Sequence, residues 1–577
     1  MKRLTPFLSL PLLAAPLAAQ HAADRHPLYD AAAPTAEQKA PAATALSLQC
    51  VSDRRIVVEK EAQRPFIPFD ENDGLPVLLL RGWRGERVSA QLLIRANGKA
   101  DNLRVSCTLM NAPFEVQTCM VRYTKAHGKA VGDIIGTESR CDNPAGVPRP
   151  VWVQADIPHD TPAERYCGLL TVQADGCAPV QQPIMIEVTP ETLPAPRDWQ
   201  VHFDLWQHPQ AVARWHDVEP WSAEHLALMK PLMKRLADAG QKAVTCAIID
   251  EAWNAQTYDW FPSQIRWVKG ADGQMHYDYS AFDTWVTFMT EEVGITEDIF
   301  CYTMVPWSMQ IRYFDEPSGE YRTMKLDHTT PSYEEIWGHF LTDFKAHLTQ
   351  KGWLHKTSIA LDERPDALVH ATKAVLQRYA PELRVISSVN APSEASKDIY
   401  LISPILQHTN TLTPELLATR RAKGCKSIYY TCLSPQKPNS FTMSPPAESE
   451  WLGLFAAAQG LDGYSRWAYN SWNRNPFETT DFIHWPSGDC FMVYPGNLSS
   501  IRFERMRDGI EDYEKIRLLR ERAARTDSAA AQEAVQHLNA ELSRLFTLER
   551  SKGDTHAADV QAARQLIDEC AETLRDL

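Results

Sequence analysis

The sequence predicts a multidomain β plus α/β chain: an N-terminal β-sandwich followed by a (β/α)8 TIM barrel with C-terminal helices. Three observations carry this. At 577 residues the chain is too long for one hydrophobic core, because single cores stop growing near ~250–300 residues and longer chains divide. Up to residue 192 apolar residues alternate over short runs, whereas beyond Trp199 apolar runs and helical stretches take turns. The aromatic residues shift with the rhythm: of 17 Trp only Trp83 and Trp152 precede residue 199, and the other fifteen lie between Trp199 and Trp485.

Met1-Lys2-Arg3 and the apolar run from Leu4 to Ala19 have the basic start, apolar middle and small-residue end of a secretory signal, residues 1–19. The run is short of the ~20 apolar residues that span a bilayer. The first cysteine is Cys50, so none near the cleavage point can carry a lipid anchor. A periplasmic or secreted, non-transmembrane protein is expected. Residues 20–45 are Ala/Pro-rich without periodicity and read as a linker.

Residues 46–192 form the expected sandwich. Arg55-Ile56-Val57-Val58, Val88 to Ile94, Trp152 to Ala155, Leu169 to Val172 and Ile184 to Val188 read as strands, spaced by turn residues as in an antiparallel sandwich. Leu193-Pro194-Ala195-Pro196 marks a boundary.

The barrel is expected over 198–525. Its eight candidate strands are Val201–Trp206, Ala243–Ile249, Ile299–Val305, Thr357–Leu361, Arg384–Val389, Ile399–Ile405, Ser427–Cys432 and Tyr464–Tyr469. Between them, Ser222–Ala239 carries Leu226, Met229, Met233 and Leu236 at helical steps, with Pro231 expected to kink or shorten it. A second helix follows Pro365 with Leu368, Ala371, Val375 and Tyr379; a third carries Phe503, Met506, Ile510 and Tyr513. Eight strand and helix units suit a closed barrel. An open doubly wound sheet is the alternative, but no Gly-x-Gly-x-x-Gly follows the first strand and no phosphate loop occurs. Residues 526–577 read as a C-terminal helical extension, with a Val535, Leu538, Leu542, Leu545 stripe and a last helix near 556–575.

Composition narrows the function. A net charge of -14 disfavours nucleic acid as a partner, since phosphate binders present basic surfaces. Twelve Cys without a Cys-x-x-Cys pair support neither a zinc site nor a redox motif. Six of them (Cys50, Cys107, Cys119, Cys141, Cys167, Cys177) fall in the first third, where one or two disulfides and free thiols are both open. No Gly-x-Ser-x-Gly elbow and no His-Glu-x-x-His occurs. His202, His208 and His484 stand without a ligand set.

A barrel builds its site at the C-terminal ends of its strands. Those positions hold Trp206 and His208, Asp250 and Glu251, Tyr302 and Trp307, Asp362 and Glu363, Asn390, Tyr430, then Trp467, Tyr469, Asn470 and Trp472. Carboxylates and flat rings are the ingredients of carbohydrate chemistry, acids to protonate a glycosidic oxygen and rings to hold a pyranose. Two Asp-Glu pairs stand out, Asp250-Glu251 after strand two and Asp362-Glu363 after strand four. Consecutive residues on a regular strand face opposite sides, so both acids reach one site only where the strand ends or bulges. Otherwise one of Asp362-Glu363 caps the next helix or pairs with Arg364, and Asp250 or Glu251 serves structure or substrate binding.

On Gly82-Trp83-Arg84-Gly85-Glu86, Ala163 to Gly168, Asp362-Glu363, Arg466 to Trp472, Tyr494-Pro495-Gly496 and Arg507 to Tyr513, the chain resembles glycoside hydrolase family 123, the β-N-acetylgalactosaminidases. The resemblance implies a sandwich, a catalytic barrel, no metal or cofactor, and a retaining mechanism in which the substrate's 2-acetamido group attacks the anomeric carbon. It casts Glu363 as general acid, raised by a neighbouring carboxylate and an aromatic wall, and Asp362 as the acceptor that orients the acetamide. Tyr302, Trp307, Tyr430, Trp467 and Trp472 are candidates for the sugar cage, with Asn390, Asp250 and Glu251 as further substrate contacts. Tyr430 or Tyr469 would supply a hydroxyl to the acetamide oxygen. Asp489 and Tyr494 are secondary candidates, and Arg507, Asp508, Glu511 and Asp512, on a helix at ion-pair spacing, are expected to be structural.

The leading reading is an exo-acting glycosidase releasing terminal β-linked N-acetylgalactosamine from a glycan or glycoconjugate. Its rivals are a glycosidase on another sugar that uses Asp250 or Glu251 as second acid, and a non-catalytic glycan-binding protein. Oligomeric state is not legible.

Overall fold

A computed structural model describes residues 41–68 and 77–575. The signal segment and the linker up to residue 40 lie outside the described residues. Two sheets build the N-terminal part. One orders Leu46–Cys50, Arg87–Ala96, Arg149–Asp156, Gln117–Ala126, Lys129–Ile135 and, from far along the chain, Ser499–Ser500. The other orders Leu78–Arg84, Val180–Thr192, Arg165–Gln173, Ala100–Leu109 and Arg140–Asn143. In Val180–Thr192 alternate residues Ile184, Ile186 and Val188 are buried, and with Leu92, Ile94, Val151, Val153, Leu170 and Val172 they form the apolar filling.

Two strand expectations need correction. Arg55-Ile56-Val57-Val58 is not a strand: Val57 makes a single bridge to Val131 and Val58 opens a short helix, Val58–Ala62. The sandwich is not wholly antiparallel, because Leu78–Arg84 runs parallel to Val180–Thr192. These partners are about a hundred residues apart in sequence, so no hairpin turn dictates their relative direction. In the sandwich Cys50, Cys107, Cys119, Cys167 and Cys177 are free thiols.

Eight parallel strands follow: His202–Leu205, Ala243–Ala247, Asp298–Tyr302, Thr357–Leu361, Arg384–Val389, Leu401–Pro404, Lys426–Tyr430 and Gly463–Arg466. From the second onward each pairs with the next, and the eighth pairs with the first. The seam between first and second is closed by side chains and a main-chain bond. Gln241 Oε1 accepts from Leu205 N at 2.8 Å, Gln207 Oε1 accepts from Thr245 N at 2.9 Å, and Lys242 N donates to Phe203 O at 2.9 Å. The Ala223–Ala237 helix runs on through Pro231 instead of ending there. Between the fifth and sixth strands the eleven connecting residues form turns and no helix, so that crossing departs from the expected repeat.

The Ile501–Ala524 helix joins barrel to sandwich. It is buried almost all round despite its charges, and each charge has a partner that explains its burial. Arg507 pairs with Glu511 at 3.0 Å and Arg505 with Asp508 at 2.6 Å along the helix. Lys515 meets Asp512 at 3.0 Å and Glu86 of the sandwich at 2.6 Å. Arg502 clasps Asp133 at 3.0 Å. Gly85 turns the chain at φ +80°, where a Cβ would lie 2.5 Å from Leu193 O, and so delivers Glu86 to Lys515. Trp83, Ile134 and Leu193 join the apolar core of the barrel. The tail adds helices Ala529–Leu545, Leu548–Ser551 and His556–Arg575.

Candidate active site

The fourth barrel strand, Thr357–Leu361, is buried at every position, as a strand covered on both faces must be. Its ladder to the fifth strand ends at Leu361, and Pro365 starts the next helix two residues beyond Glu363. Released from the pleat, Asp362 and Glu363 line the same pocket, about 240 Å³ in volume. Neither acid caps the helix that follows.

The two carboxyls are held differently. Trp307 Nε1 donates to Asp362 Oδ2 at 2.6 Å, and the Arg364 guanidinium lies 4.6 Å from the centre of the Trp307 ring. Burial pushes the Asp362 carboxyl above the usual range, against the opposing Trp307 N–H and Arg364 charge. Glu363 Oε1 accepts from the Tyr430 hydroxyl. Burial first, and the Asp362 charge second, push Glu363 up to about 6.

Around the acids stand Trp206, Trp253, Trp307, Tyr430, Trp467 and Trp485. Trp206 and Trp253 rest on Tyr302, their ring centres 4.7 and 5.1 Å from it. Trp467 and Trp485 meet at 5.8 Å and 66°. Asp489 is a third carboxylate in the lining; its Oδ1 accepts from Arg466 Nη2 at 2.6 Å and its Oδ2 from Trp467 Nε1 at 3.1 Å. Burial raises its carboxyl, with Arg466 opposing. The arrangement can hold a sugar ring between indoles while one proton-bearing carboxyl and one N–H-stabilised carboxylate face it.

Residues 206–519 match the family model described as the glycoside hydrolase 123 catalytic domain. The chain belongs to glycoside hydrolase family 123. Residues 70–174 match the glycoside hydrolase 123 N-terminal domain. A family 123 glycoside hydrolase from Clostridium perfringens, solved in a study of glycolipid glycan hydrolysis, has a TM-score of 0.82 at 23% identity, over 92% of this chain and 99% of its own. The likeness is one of fold. A glycoside hydrolase family 5 xyloglucanase from Bacteroides ovatus (TM-score 0.30, 9% identity, 80% of this chain and 100% of its own) is too distant to carry an argument. The same holds for a family 20 exo-β-N-acetylglucosaminidase from Vibrio harveyi (0.18, 9%, 62% and 81%). No curated protein matches the chain.

In this family 123 hydrolase the structure brings together Asp362, Glu363, Trp206, Trp307, Tyr430 and Trp467 from the sequence-based set, with the secondary candidate Asp489. Tyr302 lies buried beneath them and does not line the pocket. Five further expectations are corrected. Tyr469 is fully buried and its hydroxyl donates to Leu232 O at 2.9 Å, so it belongs to the core. Trp472 donates from Nε1 to Val493 O at 2.7 Å and packs on Trp215. Asn390 is exposed outside the pocket, its carbonyl 2.6 Å from His408 Nδ1. Asp250 and Glu251 are committed to the loop they begin. Asp250 accepts from Ser263 N at 2.7 Å and pairs with Arg312 at 3.1 Å. Glu251 accepts from Phe261 N and Ala255 N, each at 2.6 Å. They are not a second acid in this pocket.

Sequence reasoning left Trp253, Gln256, Ser388, Cys432, Leu433, Ser465 and Trp485 unassigned, though all line the pocket. For some the signal was present: Cys432 follows Tyr430, and Ser465 precedes Trp467, by the two-residue step that shares a strand face. Tyr494 reaches the sandwich instead, donating to Asp133 Oδ2 at 2.5 Å. His208 is buried, pushed down to about 3 by that burial, with its backbone held by Asn470; His484 is exposed.

Among the described residues His202, Glu297 and Asp298 form the one group with metal-like spacing. It lies at the N-terminal ends of the strands, away from the pocket. Lys426 Nζ stands 3.2 Å from His202 Nδ1 and pairs with both acids, and Arg384 pairs with Asp298. Cations of the protein already fill the role a metal would have. No helix among the described residues is long and apolar enough to cross a membrane.

Proposed function

We propose that this glycoside hydrolase is a retaining exo-enzyme that releases terminal β-linked N-acetylgalactosamine from glycans or glycoconjugates outside the cytoplasm. The supporting observation is that Asp362 and Glu363, adjacent in sequence, line one aromatic pocket with Glu363 titrating at about 6. In the first step Glu363 gives its proton to the glycosidic oxygen as the C1–O bond breaks, and the acetamido carbonyl oxygen bonds to C1 from the opposite face. Asp362 accepts the acetamide N–H, orients its carbonyl and stabilises the charge on the oxazolinium. In the second step the Glu363 carboxylate takes a proton from water, the water oxygen bonds to C1, and the bond from C1 to the acetamide oxygen breaks. Two inversions give retention. Trp307, Trp467 and Trp253 enclose the sugar, and Tyr430 holds Glu363 between steps. Asp489 is placed to accept from sugar hydroxyls.

Turnover of an aryl β-N-acetylgalactosaminide by the wild type and by Glu363→Gln tests this reading. The expected loss in the variant is roughly 10²- to 10⁴-fold. Unchanged turnover would remove Glu363 from the role of acid, and equal cleavage of the analogue lacking the 2-acetamido group would exclude substrate assistance. The Clostridium perfringens relative was studied for glycolipid glycan hydrolysis, and a glycoconjugate substrate is the corresponding expectation here.

A further inference from the structure

The loops after the second and third barrel strands carry an exposed aromatic surface that the pocket does not use. Among the described residues, the aromatic side chains most open to solvent are Trp260 (56%), Tyr321 (49%), Trp307 (40%) and Tyr258 (36%), and all four come from these two loops. Trp307 belongs to the pocket; Trp260 and Tyr321 do not. Burial is the default for such rings, and exposed ones gathered in one place mark a contact surface.

The surface is built, not merely left bare. The two loops pair into a four-stranded sheet, Met275–Asp278, Arg266–Lys269, Gln310–Asp315 and Glu320–Lys325 in order. Trp267 and Ile311 are buried on one face of it. Alternation sends Arg312 and Phe314, with cross-strand partners Thr323 and Tyr321, to the other face. There the Arg312 guanidinium lies 3.7 Å from the Tyr321 ring centre and 5.8 Å from that of Trp260. Its only hydrogen bond among the described residues goes to Asp250, at 3.1 Å, which leaves further N–H donors on a fixed, planar group. The surface borders the pocket. Gln256 and Trp307 line the pocket. Trp260 is four residues from the first and Arg312 five from the second, spans of at most roughly 14 and 18 Å.

We infer that Trp260, Arg312 and Tyr321 form a subsite for the leaving oligosaccharide, stacking on its sugar rings and donating to its hydroxyls. The inference rests on the glycosidase reading above and extends it from the released sugar to the remainder of the glycan. It also gives Asp250 a part, as the group that fixes Arg312.

The test compares an aryl β-N-acetylgalactosaminide with a free tetrasaccharide ending in the same β-linked sugar, for wild type, Trp260→Ala, Tyr321→Ala and Tyr321→Phe. Each alanine variant is expected to lose roughly three- to tenfold in kcat/KM on the tetrasaccharide, the range of one aromatic contact, mainly through KM. Aryl glycoside turnover stays at the wild-type level, which also reports correct folding, and Tyr321→Phe retains tetrasaccharide activity. Equal losses on both substrates, or none on either, would overturn the subsite. A loss confined to the same glycan displayed on lipid micelles would overturn it too, assigning the surface to the lipid. A wild type that cleaves neither substrate refutes the glycosidase reading instead.

Discussion

Replacing Asp362 by Asn separates the two carboxyls by their pH dependence. In the proposed mechanism Glu363 acts protonated, as an acid, so kcat/KM should be full below its titration point and fall about tenfold per pH unit above it. In the same mechanism Asp362 acts ionised, so activity should be lost as pH falls through its own raised titration point. The wild type is therefore expected to work in an acidic band whose alkaline limb lies near 6. Burial is the larger cause of the Glu363 displacement and the Asp362 charge the smaller. Removing that charge should return the limb less than half of the way from about 6 toward 4.5, no lower than roughly 5.2. The acidic limb due to Asp362 should vanish. Turnover should fall by roughly 10²–10³ with loss of the orienting carboxylate, and an aryl glycoside with an activated leaving group keeps the residual rate measurable across pH. An alkaline limb that stays in place or moves upward in Asp362→Asn would refute the electrostatic coupling argued from the shared pocket.

Three further outcomes are expected. Tyr430→Phe removes the hydroxyl that donates to Glu363, a bond that favours the ionised form, so the alkaline limb should move to higher pH; the same pH profile checks the sign. Lys515→Met leaves Glu86 and Asp512 buried without their shared cation. Its cost should be about 3–5 kcal/mol, read from the denaturant midpoint; a loss under ~1 kcal/mol would show the contact between sandwich and helix to be incidental. Gly509→Ala puts a Cβ 2.3 Å from Glu450 O, where the Pro446–Ala458 helix crosses. It should destabilise by about 1–3 kcal/mol or more, with the thermal midpoint as the measure.

Much of the barrel was legible because its signals are short in range. The fourth and fifth strands run Thr357–Leu361 and Arg384–Val389, where short, mostly buried stretches bounded by turn residues predict them. The strand-end rule led to Asp362, Glu363, Trp307, Tyr430 and Trp467. It failed at Tyr469, Trp472, Asn390, Asp250 and Glu251, which also follow strand ends. Position along the chain does not say which way a side chain turns once the ladder has stopped. The Tyr469 hydroxyl is claimed by Leu232 O and the Trp472 indole by Val493 O, neighbours that no local pattern announces. Trp485 and Asp489 reach the pocket from a loop about twenty residues past the last strand.

The motifs of the long helix show the same division. Arg507 to Tyr513 could be read as a helix with internal ion pairs, and Arg507–Glu511 is one. That Lys515 reaches back to Glu86, and that Gly509 admits a second helix at backbone contact, depends on elements far away in sequence. By itself the sequence determined the order of sandwich and barrel, the approximate positions of the barrel strands and the adjacency of the two acids, all set by periodicity and neighbouring residues. Only the tertiary structure decided which aromatic rings face the sugar pocket and which fill the core. The reason is physical: a ring buries the same apolar area in either place, and the choice falls to the distant groups that satisfy its N–H or O–H.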